Sequence, residues 1–193
     1  MDNTLNTLEM TTAIALGLGL AAAVGFRVFV PFLLVSLAAR TGLIPLAGGF
    51  EWLNSDVALV MFGAAAILEI IAYLVPYFDH LLDAVAGPAA VAAGTVLMAS
   101  SLIEMEPWLR WSVALVAGGG TAGLFHGSLA GLRVGSTATT GGVANPLFAT
   151  LETGGAAVLT LLALILPVAA VVLIIFLLVR VLGKLGRGLR RLR

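Results

Sequence analysis

Two charged residues lie inside long apolar stretches of the sequence. Arg27 lies within the apolar run 10–39, and Glu69 lies within the apolar run 57–75. A charge at bilayer depth costs at least about 2.5 kcal/mol unless it is paired or hydrated, so such residues usually face a bundle interior or a water-filled cavity. Arg27 and Glu69 therefore either belong to a binding site or form a structural pair that holds two helices together.

A polar segment without charged residues follows Arg133. Its first part, 135–142, is rich in Ser, Thr and Gly and favours non-helical backbone. Such backbone is tolerated at membrane depth only where protein or water satisfies its polar groups. The sequence therefore predicts a re-entrant segment over 135–152, and the alternative is an external loop followed by an ordinary capped helix.

The dipeptide Asn145-Pro146 predicts the start of a short helix in this segment. Asparagine caps the first free amides of a helix, and proline suits the first turn, where its missing donor costs nothing. Glu152 follows two turns later. A buried helix N-terminus offers partial positive charge to an anion. We expect this half-helix to pack against the small residues around Gly123 and Gly127.

His126 lies between those two glycines, on a helix with a small-residue face. Its near-neutral pKa suits a proton relay, and an interhelical hydrogen bond is the plainer alternative. The residues that could form a substrate-binding site are Arg27, Glu69, His126, Arg133, Thr140, Asn145 and Glu152.

The sequence lacks the residues that several kinds of catalytic site require. The chain has no cysteine and only two histidines, so thiolate chemistry and multi-histidine metal centres are excluded. No Asp-rich metal motif and no Ser/His or Ser/Lys pair stands out. We therefore predict that the protein is not an enzyme and uses no metal or cofactor.

Composition predicts an all-α integral membrane protein in contact with the lipid bilayer. Of 193 residues, 61% are hydrophobic and only 10% are charged, and mean hydropathy is +1.13. A soluble domain has roughly a quarter of its residues charged. The apolar runs are long enough for helices that cross a hydrocarbon core of about 30 Å. No nucleic-acid partner is expected.

A single transmembrane domain over 1–193 with about five spans is predicted. The first span is too long for one straight crossing, and Pro31 predicts a broken first helix. The acidic N-terminal residues predict a retained helix, because a cleaved signal peptide begins with basic residues. The predicted spans are 10–39, 57–75, 84–103, 108–132 and 156–179, followed by a basic tail at 180–193.

The basic tail predicts the orientation. Lys and Arg near span ends stay on the cytoplasmic side, so the C-terminus should be cytoplasmic and, with five spans, the N-terminus outside. Loops that carry Arg40 and Arg110 then lie inside, and the acidic turn with Asp79 and Asp83 lies outside. The tail is also expected to bind anionic lipid at the interface.

Small residues recur every fourth position in two spans. Both series end on Gly-x-Arg-Val, at Arg27 and at Arg133. Small-residue faces let helices approach closely. Because spans one and four are three crossings apart, the pattern predicts an inverted repeat with a site at its interface; the alternative is that two common glycine zippers share an arginine by chance. The two series are Ala13, Gly17, Ala21 and Gly25, and Gly119, Gly123, Gly127 and Gly131.

These features together resemble a bacterial family of small integral-membrane proteins catalogued as a numbered domain of unknown function. The resemblance covers about residues 11–170 and is most specific over Thr140-Gly141-Gly142-x-x-Asn145-Pro146. It implies a helical fold in the bacterial inner membrane and no particular activity. At Tyr73-Leu74 the chain departs from the Asp-Lys that the family is expected to carry. The other residues that carry the resemblance are Gly25, Phe26, Arg27, Pro31, Glu69, Pro76, Asp79, Asp83, Gly87, Pro88, Ser136 and Glu152.

Two functions fit these predictions. The first is a small permease or channel-like protein for an anionic or polar small solute, with Glu69 or Glu152 as a candidate proton-coupling group. The second is a structural or accessory membrane subunit, a homo-oligomer included, that packs through its glycine-zipper faces. A membrane-embedded enzyme is the least favoured class.

Overall fold

The fold is described from a computed structural model. It describes the backbone of residues 2–74 and 78–190 and the side chains of residues 6–73 and 85–180. Every regular element within these ranges is helical. In chain order the helices are α1 (Asp2–Phe26), α2 (Phe29–Arg40), α3 (Asp56–Leu74), α4 (Phe78–Ser101), α5 (Pro107–Val113), α6 (Gly120–Thr140), α7 (Asn145–Ile165) and α8 (Pro167–Arg190). A 3-10 helix (Glu51–Asn54) precedes α3, and a π-helical segment (Ala114–Gly119) joins α5 to α6.

Several of these helices can cross a bilayer by length and composition. Among the described residues, four apolar stretches of at least 18 residues qualify, and shorter apolar helices lie at α2, α4 and α8. The four are Asn6–Phe26, Asp56–Tyr73, Pro107–Thr140 and Asn145–Ile165. The prediction of an all-α, multi-pass membrane protein is confirmed.

Helices α2 and α3 run in opposite directions side by side. The guanidinium of Arg40, at the end of α2, pairs with Asp56 at the start of α3. The backbone N–H of Phe29, at the start of α2, donates to Glu69 near the end of α3. The residues after α2 and the first half of α1 contact the same end of α4, so α2 returns toward the end of the bundle at which α1 begins, which we call the N-terminal end.

The predicted first span is thus a hairpin of two helices. Ala13 in α1 accepts a hydrogen bond from Ser101, and Ala47, beyond α2, donates one to the neighbouring Ser100, so the two arms of the hairpin meet the same end of α4. The expected break is present, but the chain reverses at residues 27–28 instead of continuing across. Pro31 lies in the first turn of α2, where the missing N–H has no intrahelical acceptor.

This reversal changes the predicted relation between spans one and four. Gly17 of α1 lies against Met98 of α4, and Gly25 lies against Phe125 of α6. Ala13, earlier in α1, accepts a hydrogen bond from Ser101, which lies one turn later than Met98 in α4, so α1 and α4 are antiparallel.

Helix α4 is also antiparallel to the π-helical segment and α6. Gly94 faces Gly118, whereas Gly87, earlier in α4, faces His126, later in α6. Helices α1 and α6 therefore run in the same direction, and the inverted-repeat prediction is wrong. The reversal adds one pass, α2, between α1 and α6, and one extra pass changes their relative direction.

The segment predicted to be non-helical is largely helical. Helix α6 continues to Thr140, and the turn that follows contains Gly141 and Gly142 with φ of 62° and 86°. The hydroxyls of Thr139 and Thr140 donate to carbonyls one turn back, so these polar side chains are satisfied within the helix.

Helix α7 starts at Asn145 as predicted, with Pro146 in its first turn. It continues for 21 residues, so the predicted half-helix is the first part of a full-length helix. The predicted last span is interrupted instead at Pro167, which begins α8. A Cβ at Gly19 would lie 2.5 Å from Cβ of Ala163 in α7 and 3.3 Å from Cβ of Ala170 in α8. Helices α7 and α8 therefore form a hairpin, and α8 runs away from the N-terminal end.

Only part of the predicted small-residue face of α6 and the preceding π-helical segment packs against a neighbouring helix. Gly119 and Gly123 pack against Val91 of α4, whereas a Cβ at Gly127 or Gly131 would meet no atom within 4 Å. The prediction that the segment after residue 135 packs against Gly123 and Gly127 is therefore wrong. Helix α4 occupies the closely packed part of this face.

The N-terminal end carries the aromatic residues typical of a membrane interface. Trp52, Trp108 and Trp111 are 44%, 71% and 46% exposed there. Arg40 and Arg110 lie at this end, opposite to the direction of α8, so their predicted location beside the basic tail is wrong. The side chains of Asp79 and Asp83, and those of the tail beyond Arg180, lie outside the described residues.

Candidate functional site

Three charged side chains are buried together where the first hairpin meets α6 and α7. Arg27 is 1% exposed, Arg133 is 2% exposed and Glu152 is 3% exposed. Arg27 directly follows α1, Arg133 lies on α6 and Glu152 lies two turns into α7. Residues far apart in the sequence therefore converge on one point of the bundle.

Glu152 accepts contacts from both guanidinium groups. Nε of Arg133 lies 2.9 Å from Oε1 of Glu152, and Nη2 of Arg27 lies 3.6 Å from Oε2. Arg27 also donates from Nη2 to the carbonyl of Ala149 at 3.0 Å and from Nε to the hydroxyl of Thr153 at 3.1 Å. The reversal between α1 and α2 is thereby attached to α7 through one arginine.

The ring of Tyr73 lies beside both arginines. Its centroid is 3.9 Å from Cζ of Arg27 and 4.8 Å from Cζ of Arg133. A guanidinium over an aromatic face is attracted by the ring quadrupole, most strongly when water is excluded. Tyr73 is 5% exposed, so the ring stabilises two like charges in a dry environment. From the sequence, Tyr73 is expected only to depart from the family pattern, and no role is predicted for it.

Glu69 binds the backbone at the start of α2. Its Oε1 accepts the N–H of Val28 at 2.8 Å, and its Oε2 accepts the N–H of Phe29 at 3.0 Å. The first amides of a helix have no intrahelical acceptor, and a carboxylate there is stabilised by the helix dipole. Within the described part of the chain, Glu69 makes no ion pair, so the predicted pair with Arg27 is wrong.

Asn145 connects α6 to α7 through its side chain. Its Nδ2 donates to Oγ1 of Thr137 at 3.1 Å, and the structure contains no side-chain cap at this helix start. The predicted capping role of Asn145 is therefore wrong, although the helix does begin there. Thr140 is exposed at the end of α6 and donates to the carbonyl of Ser136, so it lies apart from the charged cluster.

His126 is buried on α6, two turns before Arg133. A Cβ at Gly87 of α4 would lie 3.6 Å from Cδ2 of the His126 ring. Seven residues of helix separate His126 from Arg133, which corresponds to about 10 Å along the axis. His126 thus packs at the α4–α6 interface, while the charged cluster lies beyond it.

Two buried polar atoms next to the cluster have hydrogen-bonding capacity left. Nη1 of Arg27 and Oγ of Ser136 have no hydrogen-bond partner among the described residues. Ser136 is 8% exposed and lies one turn beyond Arg133 on the same helix. Buried polar atoms are almost always satisfied in folded proteins, so these two atoms point to a polar ligand or water.

A cavity of about 760 Å³ opens at the N-terminal end, away from this cluster. Leu16 and Leu164 are among its lining residues, and Glu9 and Glu104 also border it. Arg27 lies eleven residues beyond Leu16, or about 16 Å along α1. The intervening α1 residues Leu20 to Val24 are fully buried.

Both signs of charge are present in this region. Arg27 and Arg133 of the cluster are cationic, and Glu152 of the cluster and the neighbouring Glu69 are anionic when ionised. Among the described residues, no group of three or more His, Cys, Asp or Glu side chains could hold a metal ion. The arrangement is suited to binding a small charged or polar molecule.

The comparison with protein families identifies one match. The family model described as "Domain of unknown function (DUF4126)" matches residues 14–185, which include every member of the cluster. No curated protein and no solved structure is matched by the chain. Because the matched region spans most of the sequence, the chain belongs to the DUF4126 family.

Proposed function

We propose that the protein is a small permease whose binding site for an anionic solute is the cluster of Arg27, Arg133 and Glu152, together with Tyr73. The observation that carries the proposal is the sharing of one carboxylate by two buried guanidiniums. A buried ion pair is weak support for stability, since its desolvation offsets most of the attraction. A second buried arginine increases this cost of desolvation. A binding site for an anion would explain why both arginines are buried.

The remaining hydrogen-bonding capacity supports the same proposal. Nη1 of Arg27 and Oγ of Ser136 can both donate to an anion. Arginine is the side chain that best matches carboxylate, phosphate and similar oxyanions, because its donors form a rigid planar fork. The solute is therefore a small anion with oxygen or halide acceptors.

The packing favours a carrier over a permanently open pore. The cavity at the N-terminal end stops near Leu16, and the buried residues Leu20 and Val24 separate it from Arg27. A solute that reaches Arg27 from this end requires the helices to move. The reversal at residues 27–28 resembles the broken helices that line many transporter sites.

The proposed orientation has the N-terminal end outside and the C-terminus in the cytoplasm of a bacterial cell. The basic residues in the last part of α8 and beyond it support this orientation, since Lys and Arg near span ends remain cytoplasmic. The exposed Trp residues at the N-terminal end fit the opposite interface.

Transport by purified protein in liposomes tests the proposal. The probes are chloride, nitrate, methanesulfonate, sulfate and inorganic phosphate, each offered alone. We expect uptake of at least one probe above that of protein-free liposomes, and at least a tenfold loss in the variant Arg27→Gln. The matched control is Arg110→Gln, which removes an arginine at the N-terminal end and should retain uptake. Folding of each variant is checked by its melting temperature in detergent.

Two results would contradict the permease. One is wild-type protein that moves none of the five anions. The other is a folded Arg27→Gln variant that transports as well as Arg110→Gln, since the cluster would then have no part in transport.

One observation favours the accessory-subunit function as second candidate. Gly127, Gly131 and Gly135 form an exposed face on α6, and a Cβ at any of them would meet nothing within 4 Å. Such faces let another helix approach closely. If this is the main role, Gly131→Leu should dissociate a complex seen by native mass spectrometry, while Gly154→Leu, at another open position, should not.

A further inference from the structure

We propose that the anion is carried together with one proton, that Glu69 binds this proton, and that Glu152 stays ionised between the arginines. The inference rests on the proposed function and specifies how anion transport through the same site is coupled to proton transport. Three observations carry it: the different partners of the two glutamates, the position of Nη1 of Arg27 as a buried donor for an added negative charge, and the backbone amides at the start of α2.

The two carboxylates of the cluster are held in different ways. Glu152 contacts Arg133 at 2.9 Å and Arg27 at 3.6 Å, so it is the counter-ion that both guanidiniums share. Among the described residues, the hydrogen bonds of Glu69 come from the backbone N–H groups of Val28 and Phe29. Within the described residues no guanidinium lies within 4.0 Å of its oxygens. Glu69 is therefore the carboxylate that can change protonation while the arginines keep their counter-ion.

The binding of an anion requires a compensating charge. A monovalent anion beside Nη1 of Arg27 adds one negative charge in an apolar bundle, where an added net charge is costly. A proton that binds Glu69 offsets this added charge.

Protonation also changes the hydrogen bonds at the reversal. An ionised carboxylate accepts one N–H on each oxygen, as Glu69 does with Val28 and Phe29. In the acid form the hydroxyl oxygen becomes a donor, so one of these N–H groups loses its acceptor. That N–H belongs to the backbone next to Arg27 and can then donate to the anion. The proton enters with the anion from one side of the membrane and binds an oxygen of Glu69. It then leaves together with the anion on the other side of the membrane.

The charged and titratable groups around Glu69 come from several elements. Arg27 approaches from the α1–α2 reversal, Arg133 from α6 and Glu152 from α7, and Tyr73 lies one turn further along α3. The residues of α2 that face Glu69 are not titratable. The side chains of Asp79, His80 and Asp83 at the start of α4 lie outside the described residues.

The test measures proton movement together with anion movement. Wild-type protein is reconstituted in liposomes that contain the pH-sensitive dye pyranine, with the membrane potential clamped by potassium and valinomycin. Chloride, nitrate and methanesulfonate are the probes, because they are ionised at every working pH and do not cross as neutral acids. We expect an inward anion gradient to acidify the lumen with about one proton per anion.

The variant Glu69→Gln separates coupling from binding. Glutamine resembles the protonated acid and keeps one carbonyl acceptor for the amides of α2. We expect this variant to lose lumen acidification, whereas it still exchanges internal for external anion at a reduced but measurable rate. Glu69→Asp retains a titratable group and should retain proton movement at a lower rate. Glu104→Gln, at the N-terminal end, is the matched control and should behave as the wild type.

The outcomes distinguish this inference from the proposed function. Wild-type protein that moves an anion without a proton, or a folded Glu69→Gln variant that still acidifies the lumen, would overturn the coupling and leave the permease intact. Wild-type protein that moves none of the anions would overturn both. If Glu69→Gln does not fold, the proton-to-anion ratio of the wild type and the retained coupling of Glu69→Asp decide the question.

Discussion

At the scale of single residues, the charged cluster is held together by groups of different kinds. Arg27 and Arg133 repel each other, and Glu152 and the ring of Tyr73 offset that repulsion. Glu69 belongs to the same region, but within the described part of the chain its hydrogen bonds come from backbone amides. The two glutamates should therefore respond differently to the same substitution.

Glu152→Gln is expected to destabilise the protein more than Glu69→Gln. Removing one partner of a buried ion pair leaves an uncompensated charge and costs about 3–5 kcal/mol. Glu69→Gln loses part of a helix N-terminal interaction, which is worth about 1–2 kcal/mol. Reversible unfolding in mixed detergent and denaturant measures both values. Equal destabilisation by the two variants would show that Glu69 also balances a buried charge directly.

Tyr73→Leu is expected to lower stability by about 2 kcal/mol, since a desolvated cation–π contact is worth about that much and two guanidiniums flank the ring. Tyr73→Phe keeps the ring and should lose less. The same unfolding measurement applies to both variants. If phenylalanine proves as harmful as leucine, the hydroxyl and not the ring accounts for the effect.

Some residues of the cluster could be predicted from sequence and others could not. Arg27, Glu69 and Glu152 could be predicted because a charged residue inside an apolar run is costly unless it is paired or hydrated. Thr153 and Tyr73 could not, since their contacts with Arg27 join helices that are distant in the sequence. The capping role of Asn145 was wrong because its side chain reaches Thr137 on the preceding helix, and local propensity does not include such a partner.

At the scale of elements, close backbone approach between α4 and the π-helical segment organises the centre of the bundle. A Cβ at Gly118 would lie 2.6 Å from the carbonyl oxygen of Gly94 and 2.6 Å from Cβ of Met98. Because the first of these atoms is backbone, neither helix can accommodate a side chain there without moving apart.

Gly118→Ala and Gly120→Ala test this packing as a matched pair. Both glycines lie in helical backbone, so alanine gains about 1 kcal/mol of helix propensity at each. A Cβ at Gly120 would meet nothing within 4 Å, and that variant should be neutral or more stable. Gly118→Ala should lose about 1–3 kcal/mol through overpacking. Similar melting temperatures for the two variants would contradict the close approach.

The existence of the helices could be predicted better than their ends. Long apolar runs indicate membrane helices, but hydrophobicity does not indicate where the chain reverses inside such a run. Pro31 and Pro167 mark the two reversals, and a proline by itself fits a kink as well as a new helix. Ser and Thr in 135–142 indicated a loop, whereas the hydroxyls of Thr139 and Thr140 bond back within α6.

At the scale of the whole molecule, the additional pass made by α2 determines the relative direction of α1 and α6. The expected inverted repeat failed because α2 returns to the N-terminal end, which makes α1 and α6 parallel. Of the glycines that suggested the repeat, Gly17, Gly119 and Gly123 pack against α4 and Gly25 packs against α6. The side on which each loop lies follows from the same count of passes.

Single cysteines test this arrangement, since the chain contains none of its own. Glu104→Cys, at the N-terminal end, should react in intact cells with a membrane-impermeant maleimide. Lys184→Cys, in the basic tail, should react only after the cells are permeabilised. Labelling of both positions from the same side would contradict the orientation and the direction of α8.

The central claim is that two buried arginines form an anion site, and anomalous X-ray scattering tests it most directly. Crystals grown in lipid would be soaked with bromide and, separately, with selenate, which stand in for a halide and for a tetrahedral oxyanion. We predict an anomalous peak within about 3.5 Å of Nη1 of Arg27 in the wild type, and its loss in Arg27→Gln. Peaks confined to the protein surface and the basic tail would contradict the claim.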